Sequence, residues 1–320
     1  MTEFNLSKDN PLIYTYEESR KYTKLFAKSF YFASFFLPRE KRYASYSIYT
    51  FCRLADNIVD TSVKRGKEDM ERLLKKLKIS LDKAYANVNR GLIDSAFTDT
   101  IKKYNVPKIY FDELIKGVSM DINIKRFKTN DELEVYCYGV ASTVGLLMSY
   151  ILGFSDNEAL YYAEYLGKAM QITNILRDVL EDYQMNRIYL PEDEMKLFKY
   201  SEEDLKNQVL NENFKKLMKY QIEKARLYYQ LGENGIKYLT DDGSRACVIM
   251  MYKIYSSLLD EIESNDYDVF SERRYVSTGK KVLISLKYLF SGKKSKEKEL
   301  LSYGENINSD MLSPTSTEDI

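Results

Sequence analysis

Helix breakers are the scarcest elements of this chain. Five prolines, Pro11, Pro38, Pro107, Pro191 and Pro314, and thirteen glycines punctuate 320 residues. Proline ends regular structure and glycine supplies turns, so a chain poor in both has few places to reverse and favours long helices over short strands. The apolar spacing agrees. In the stretch 70–86 (MERLLKKLKISLDKAYA), Leu73, Leu74, Leu77, Leu81 and Ala84 recur at steps of three and four with lysines on the other face. The segments 130–150, 157–182, 205–231 and 245–264 have comparable periodicity or length. The expectation is an all-α fold of about eight to ten helices. One domain over residues 1–290 would be followed by a polar tail, 291–320, rich in Ser, Lys, Glu and Asn.

Composition narrows the chemistry. The chain has no histidine, which excludes His-based triads, a His general base and His-ligated metal sites. Carboxylates, tyrosines, arginines and bound ions must carry any reaction. Lysines and arginines number 48 against 48 acids, so the surplus positive charge of a nucleic-acid binder is missing. Cys52, Cys137 and Cys247 are odd in number and widely spaced, which suits packing in a reducing cytoplasm better than a disulfide framework or a zinc knuckle. Residues 1–10 include Glu3 and Asp9 and no apolar run, unlike a secretory signal. The longest apolar stretch, 140–154, is interrupted by Ser142, Thr143 and Ser149 and reads as a core helix rather than a membrane span. Residues 280–298 mix Leu283, Ile284, Leu286, Leu289 and Phe290 with many lysines. They read as a last amphipathic helix with a solvated face, with a membrane-surface contact as the sharper alternative. Most of the 29 tyrosines are expected to be packing or surface residues.

Two segments stand apart. Residues 53–60 (RLADNIVD) and 171–182 (QITNILRDVLED) each hold aspartates four apart, Asp56 with Asp60 and Asp178 with Asp182. On a helix such a pair shares one face, one turn apart. A chain with 48 acids in 320 residues produces about seven such pairs by chance, so spacing alone decides nothing. Their company is more informative, because the intervening residues are small or apolar: Leu54, Ala55, Ile58 and Val59 in one, Ile175, Leu176, Val179 and Leu180 in the other. A carboxylate on an apolar helix turns inward at a cost unless a cation compensates it, and Arg53 and Arg177 lie within a turn. Asn174, Asp178 and Asp182 form one stripe, with Gln171 a turn earlier. Oxygen donors of this kind suit Mg²⁺, which takes one or two carboxylates and lets phosphate oxygens complete its shell. Arg187, in the exit segment 187–191 (RIYLP) where Pro191 is expected to stop the helix, would reach back to a diphosphate.

These residues carry a resemblance. From about Tyr22 to Lys281 the chain resembles the squalene and phytoene synthase family of head-to-head prenyl transferases. Five segments match in order: 29–33 (SFYFA) with Leu37 and Pro38; 49–53 (YTFCR) through Asp60; 136–141 (YCYGVA) through Gly145; 171–182 with 187–191; and 267–270 (YDVF) with Arg273, Val276 and Ser277. The resemblance implies an isoprenoid-synthase type helical bundle around a central cavity. It implies that Asp56, Asp60, Asp178 and Asp182 hold Mg²⁺, or Mn²⁺ in its place, supported by Asn174 and Gln171. Arg53, Arg177, Arg187, Tyr255 and Arg273 would contact diphosphate, with Ser29 and Phe30 at the first substrate site. Tyr49 and Tyr136 would line the cavity near the reacting carbons.

The activity so implied joins two prenyl diphosphates through a cyclopropylcarbinyl diphosphate, with the final proton passing to diphosphate or a tyrosine. The pair Thr173 and Asn174 and the segment 267–270 look more like the phytoene branch, which uses geranylgeranyl diphosphate without NADPH. A dehydrosqualene or squalene synthase using farnesyl diphosphate is the close alternative. A non-catalytic isoprenoid-binding or assembly protein, which has no need of two metal clusters, is the alternative of another class. A head-to-tail transferase would carry Asp-Asp-x-x-Asp, whereas both motifs here are Asp-x-x-x-Asp. Three departures stand out: Asn57 where many relatives carry a second aspartate, Ala27 where a serine is frequent, and Ser142 in place of a glycine, which would add bulk beside a substrate tail.

Overall fold

A computed structural model of the chain describes residues 11–60, 66–88 and 95–290. The polar tail lies outside the described residues. Fifteen α-helices appear among them. In chain order they are α1 (Pro11–Phe26), α2 (Lys28–Ala33), α3 (Arg39–Asp60), α4 (Lys67–Tyr85), α5 (Ser95–Lys103), α6 (Lys108–Asn123), α7 (Asn130–Cys137) and α8 (Thr143–Leu152). After these come α9 (Glu158–Arg177), α10 (Val179–Gln184), α11 (Glu192–Leu197), α12 (Glu202–Lys206), α13 (Glu212–Glu233), α14 (Ser244–Ser264) and α15 (Thr278–Phe290). Eight of the fifteen are thirteen residues or longer, and the other seven have ten residues or fewer. Pairing between extended segments among the described residues is confined to two isolated bridges, Arg126 with Ile188 and Phe154 with Leu239.

Three cuts differ from the sequence expectation. The run 205–231 breaks because Gln208 adopts φ 54° and Asn211 then caps α13, its side chain accepting from the Phe214 N–H at 2.9 Å. The run 157–182 breaks at Asp178 (φ −105°, ψ 17°), although the Asp178 N–H still donates to Asn174 and the Asp182 N–H to Asp178. The stripe of Asn174, Asp178 and Asp182 therefore survives the kink. Pro191 does not stop this helix. Asn186, at φ 60°, has already ended it, with the Arg187 N–H returning to the Asp182 carbonyl at 2.8 Å, and Pro191 opens α11 instead.

Residues 130–152 are by length and composition long and apolar enough to cross a membrane. They are core here: Leu133, Tyr136, Leu146, Leu147 and Ile151 are buried against neighbouring helices. A π-helical turn at Tyr138–Ser142 joins α7 to α8. There the backbones nearly touch, because a Cβ placed on Gly139 would lie 2.7 Å from the Gly117 Cα of α6, and one on Gly167 of α9 would lie 2.6 Å from the Ser142 Cα. Close approach of α6, the π turn and α9 brings the two aspartate helices to opposite walls of one cavity. Two core clusters flank it, one built from α3–α6 and α8 and one from α7 and α9–α14. All three cysteines are free and buried, as packing residues should be.

Candidate active site

Helix α3 sends Ser45, Tyr49, Arg53, Asp56 and Asp60 along one stripe, while Ile48, Phe51, Cys52, Ala55 and Val59 are buried in the core. Opposite it, α9 presents Ala159, Ala163, Leu166, Gly167, Met170, Gln171 and Asn174. Between them lies a cavity of about 330 Å³. From Asn174 to Ala159 its wall runs for fifteen residues of helix, about 22 Å at the usual rise. Asp56, Tyr49, Gln171, Asn174 and Tyr255 mark the polar end; Leu152, Ala159, Ile236, Leu239 and Cys247 mark the apolar end. Phe30 of α2 lies on the wall beside Tyr49, ring centroids 5.8 Å apart.

The polar end has a regular division of labour. In each motif one aspartate is held by guanidinium groups. Asp60 receives Arg53 at 3.3 Å and Arg187 at 3.2 Å. Asp178 receives the forks of both Arg177 (2.6 and 2.5 Å) and Arg273 (2.9 and 3.0 Å), and these hydrogen bonds outweigh burial and hold its carboxyl below the ordinary range. The other aspartate of each motif is left to its surroundings. Burial first, then repulsion from Asp60, pushes Asp56 up to about 7, with Arg53 opposing at 4.0 Å. Burial, then Asp178, with further repulsion from Asp121 and Asp60, pushes Asp182 up to about 8 against the pull of Arg187. Arg187 pairs with Asp60 while its backbone N–H donates to the Asp182 carbonyl, so the two motifs converge.

This pattern fits a divalent cation. Asp56 and Asp182 are half-buried all-oxygen donors that repel like-charged neighbours, and no hydrogen bond reaches either carboxylate among the described residues. No group of three acids among those residues lies close enough to cage an ion unaided. That suits Mg²⁺, which needs one or two carboxylates and completes its shell from waters and phosphate.

The loop carrying Arg273 is built to hold it. Asp266 and Tyr267 take φ 55° and 62°, the Asp268 carboxylate accepts from the Phe270 and Ser271 N–H groups, and Phe270 packs on Phe214 at 4.8 Å.

Four expectations need correction or refinement. Tyr136 does not reach the cavity wall. It is buried behind the site, its hydroxyl donating to Asp121 at 2.9 Å and its ring stacked on Tyr189 at 5.0 Å. Ser142 does not border the substrate space either, because its hydroxyl donates to the Glu164 carbonyl at 2.7 Å while Ala141 and Gly145 line the cavity. Asn57 turns sideways to donate to the Tyr22 hydroxyl at 2.5 Å. Ser29 sits half-buried one residue before Phe30 and outside the lining.

Asp121 of α6 was missed by the motif reading. It is buried, accepts from Tyr136 and from Tyr189 (2.8 Å), and lies 4.0 Å from Arg187 Nε, which has no hydrogen-bond partner of its own. Burial keeps its carboxyl above the usual range despite Arg187 and the two tyrosines. Its signal was present in the sequence as an acid in the apolar register of Leu114, Val118 and Ile122.

Comparison with known proteins identifies relatives of the chain and of its fold. A phytoene synthase of Arthrospira platensis is 38% identical over 282 residues, 84% of this chain and 90% of that one. A 15-cis-phytoene synthase of Synechocystis sp. is 38% identical over 285 residues, covering 84% and 82%. The fold superposes on the crystal structure of a dehydrosqualene synthase with a TM-score of 0.77 at 28% identity, over 92% of this chain and all of that one. It also superposes on a squalene synthase from Alicyclobacillus acidocaldarius with a TM-score of 0.73 at 24% identity, over 80% and 95%. The profile described as squalene/phytoene synthase matches residues 23–280, so the chain belongs to the squalene/phytoene synthase family.

Proposed function

We propose that this protein is a transferase that condenses two geranylgeranyl diphosphates head to head to form phytoene, a step of carotenoid biosynthesis. The observation that carries the reading is the meeting of two aspartate pairs and four arginines next to Asp56, Gln171 and Asn174, the residues that mark the polar end of a long apolar cavity. The identity to phytoene synthases over most of the chain supports the same branch.

Asp56, Asp60, Asn174, Asp178 and Asp182 would hold Mg²⁺, for which Mn²⁺ could substitute, and the metal supplies positive charge to a departing diphosphate. Arg53, Arg177, Arg187 and Arg273 would bind diphosphate oxygens, exchanging the carboxylates they now hold for phosphate. Loss of diphosphate from one substrate leaves an allylic cation. The double bond of the second attacks it, and loss of a proton closes the cyclopropane. A second loss of diphosphate, rearrangement and loss of another proton give the triene with no reductant consumed. The apolar walls, from Phe30 to Leu239, keep out water that would capture either cation. The faces of Phe30, Tyr49 and Tyr255 can stabilise positive carbon without bonding to it. Burial holds the phenols of Tyr49 and Tyr255 protonated, which makes released diphosphate the better acceptor for the departing protons. The three buried thiols support a reducing, cytoplasmic setting.

The test is incubation of purified protein with Mg²⁺ and either geranylgeranyl or farnesyl diphosphate, with and without NADPH, followed by mass identification of hydrocarbons. A forty-carbon triene formed without NADPH is expected. Release of no diphosphate from either substrate would sink the enzyme reading, and a thirty-carbon product alone would move the protein to the dehydrosqualene branch.

A further inference from the structure

The apolar end of the cavity is closed by the ends of elements and by the segments between them. Its floor includes Leu37 just before α3, Leu152 at the last position of α8, Ile236 and Leu239 between α13 and α14, and Cys247 in the first turn of α14. All five are buried, and with Ala33, Ile249 and Met250 they form a small apolar cluster separate from the two large cores. Helix ends and connecting segments with few apolar contacts are the parts of a fold that open most readily, so this floor needs a further tie.

The tie is polar and is made by α3. Lys41 lies one turn before Ser45, on the stripe of that helix that faces the cavity. Its mostly buried ammonium donates to the Leu152 carbonyl and pairs with Asp242 at 2.8 Å. The buried Ser244 hydroxyl lies 3.0 Å from the same carbonyl and 2.7 Å from Asp242, whose carboxylate also accepts from the Ser244 N–H at 3.1 Å. Against the effect of burial, the bonds from Lys41 and Ser244 hold the Asp242 carboxyl below its ordinary range. Gly153, at φ 75°, turns the chain away after Leu152, and its carbonyl accepts from the Thr240 N–H at 2.9 Å. One ammonium thereby joins the start of α3, the end of α8 and the turn into α14, the three places from which the floor is built.

We propose that Lys41 is a positioning residue that keeps the floor of the cavity shut and so sets the longest prenyl tail the protein accepts. The limit on tail length rests on the reaction proposed above, whereas closure of the floor does not. A longer tail must push Leu152 or Leu239 outward, and that motion separates Lys41 from the Leu152 carbonyl or from Asp242, breaking charge-assisted hydrogen bonds.

Cys247, a free thiol in the floor, reports closure without any substrate. In Lys41→Met a bulky maleimide should label Cys247 about tenfold faster than in the parent, the change that loss of one charge-assisted hydrogen bond makes in a local opening equilibrium. Cys52 and Cys137, which do not line the cavity, should keep their rates. Asp242→Asn, which removes the charge from the other side, should act alike, and Lys41→Arg should behave as the parent. With prenyl diphosphates of fifteen, twenty and twenty-five carbons, Lys41→Met should raise kcat/KM for the longest relative to the twenty-carbon substrate by about tenfold. The ratio of the fifteen-carbon to the twenty-carbon substrate should not move, whereas a damaged fold would lower all three together. Unchanged labelling of Cys247 in both variants, equal acceleration at all three cysteines, or no rise in the ratio for the longest substrate would overturn the proposal. Turnover of none of the three substrates by the parent would sink the transferase reading alone, and the Cys247 rates would still decide whether Lys41 holds the floor.

Discussion

The guanidinium of Arg187 lies 3.2 Å from the carboxylate of Asp60, across 127 positions of sequence. The same guanidinium donates to the Val59 carbonyl and faces Asp121, while the Arg187 backbone N–H donates to the Asp182 carbonyl. One buried residue, through its side chain and its backbone, thus ties the end of the first aspartate motif to the end of the second. Arg187→Met would leave the buried Asp121 without its cation, at a cost on the order of 3 kcal/mol in denaturant unfolding. Turnover should fall by about a hundredfold or more as preorganised charge is lost. Arg187→Lys should recover part of the stability and little of the turnover, because an ammonium cannot span Asp60, Val59 and Asp121 together. Equal recovery of both would count against a bridging role.

Asp56 and Asp182 set a pH dependence. Their carboxyls are raised to about 7 and about 8, above the unfolded-state value. A group raised in this way contributes stability that is complete below the unfolded pKa and is lost as pH climbs through the folded one, so the metal-free fold should weaken between roughly pH 4 and 8. Mg²⁺ binds only the ionised pair, so it must displace protons in acid and relieves repulsion in base. The rise in melting temperature on adding Mg²⁺ with inorganic pyrophosphate should therefore be larger near pH 8.5 than near pH 6. Differential scanning calorimetry at the two pH values checks this, and equal shifts would show that these carboxylates do not hold the metal.

The four motif aspartates were legible in the sequence because each sits among apolar neighbours at helical spacing, a local signal. Asp121 was less so, because its partner Arg187 meets it only through the tertiary contact that the Arg126 and Ile188 bridge brings about. Ser142 was misplaced for a different reason. A π turn carries an extra residue per turn, so the register that would aim a side chain at the cavity is rotated within Tyr138–Ser142. The kink at Asp178 has no proline or glycine to announce it, and its forks to Arg177 and Arg273 come from the preceding residue and from a loop 95 positions away.

Tyr136 separates a substrate-touching role from a supporting one. Its hydroxyl donates to Asp121 in the core, and Tyr189 donates to the other carboxylate oxygen. Tyr136→Phe should cost about 1 kcal/mol of stability and leave turnover within about tenfold of the parent. Asp121→Asn, acting through the orientation of Arg187, should lower kcat by about tenfold to a hundredfold with a smaller change in KM. Complete loss of turnover in a folded Tyr136→Phe variant would return that hydroxyl to the reacting carbons.

The apolar end of the cavity offers a test of chain length. Ala163 lines the wall well beyond Gln171 and Asn174, and a Cβ on the facing Gly145 would already sit 2.9 Å from its carbonyl oxygen, so α8 and α9 cannot close further to fill this space. A larger side chain at 163 would fill the cavity rather than the interface between helices. Ala163→Phe should therefore obstruct the far end of a twenty-carbon tail while leaving room for a fifteen-carbon one. The ratio of kcat/KM for geranylgeranyl over farnesyl diphosphate should fall by about tenfold or more, the scale on which apolar pockets discriminate by size. The polar end, more than two helical turns away, is untouched, so diphosphate release from the shorter substrate should persist. If both substrates lose activity together in a folded variant, or the ratio does not move, the tail does not run along α9 past Ala163.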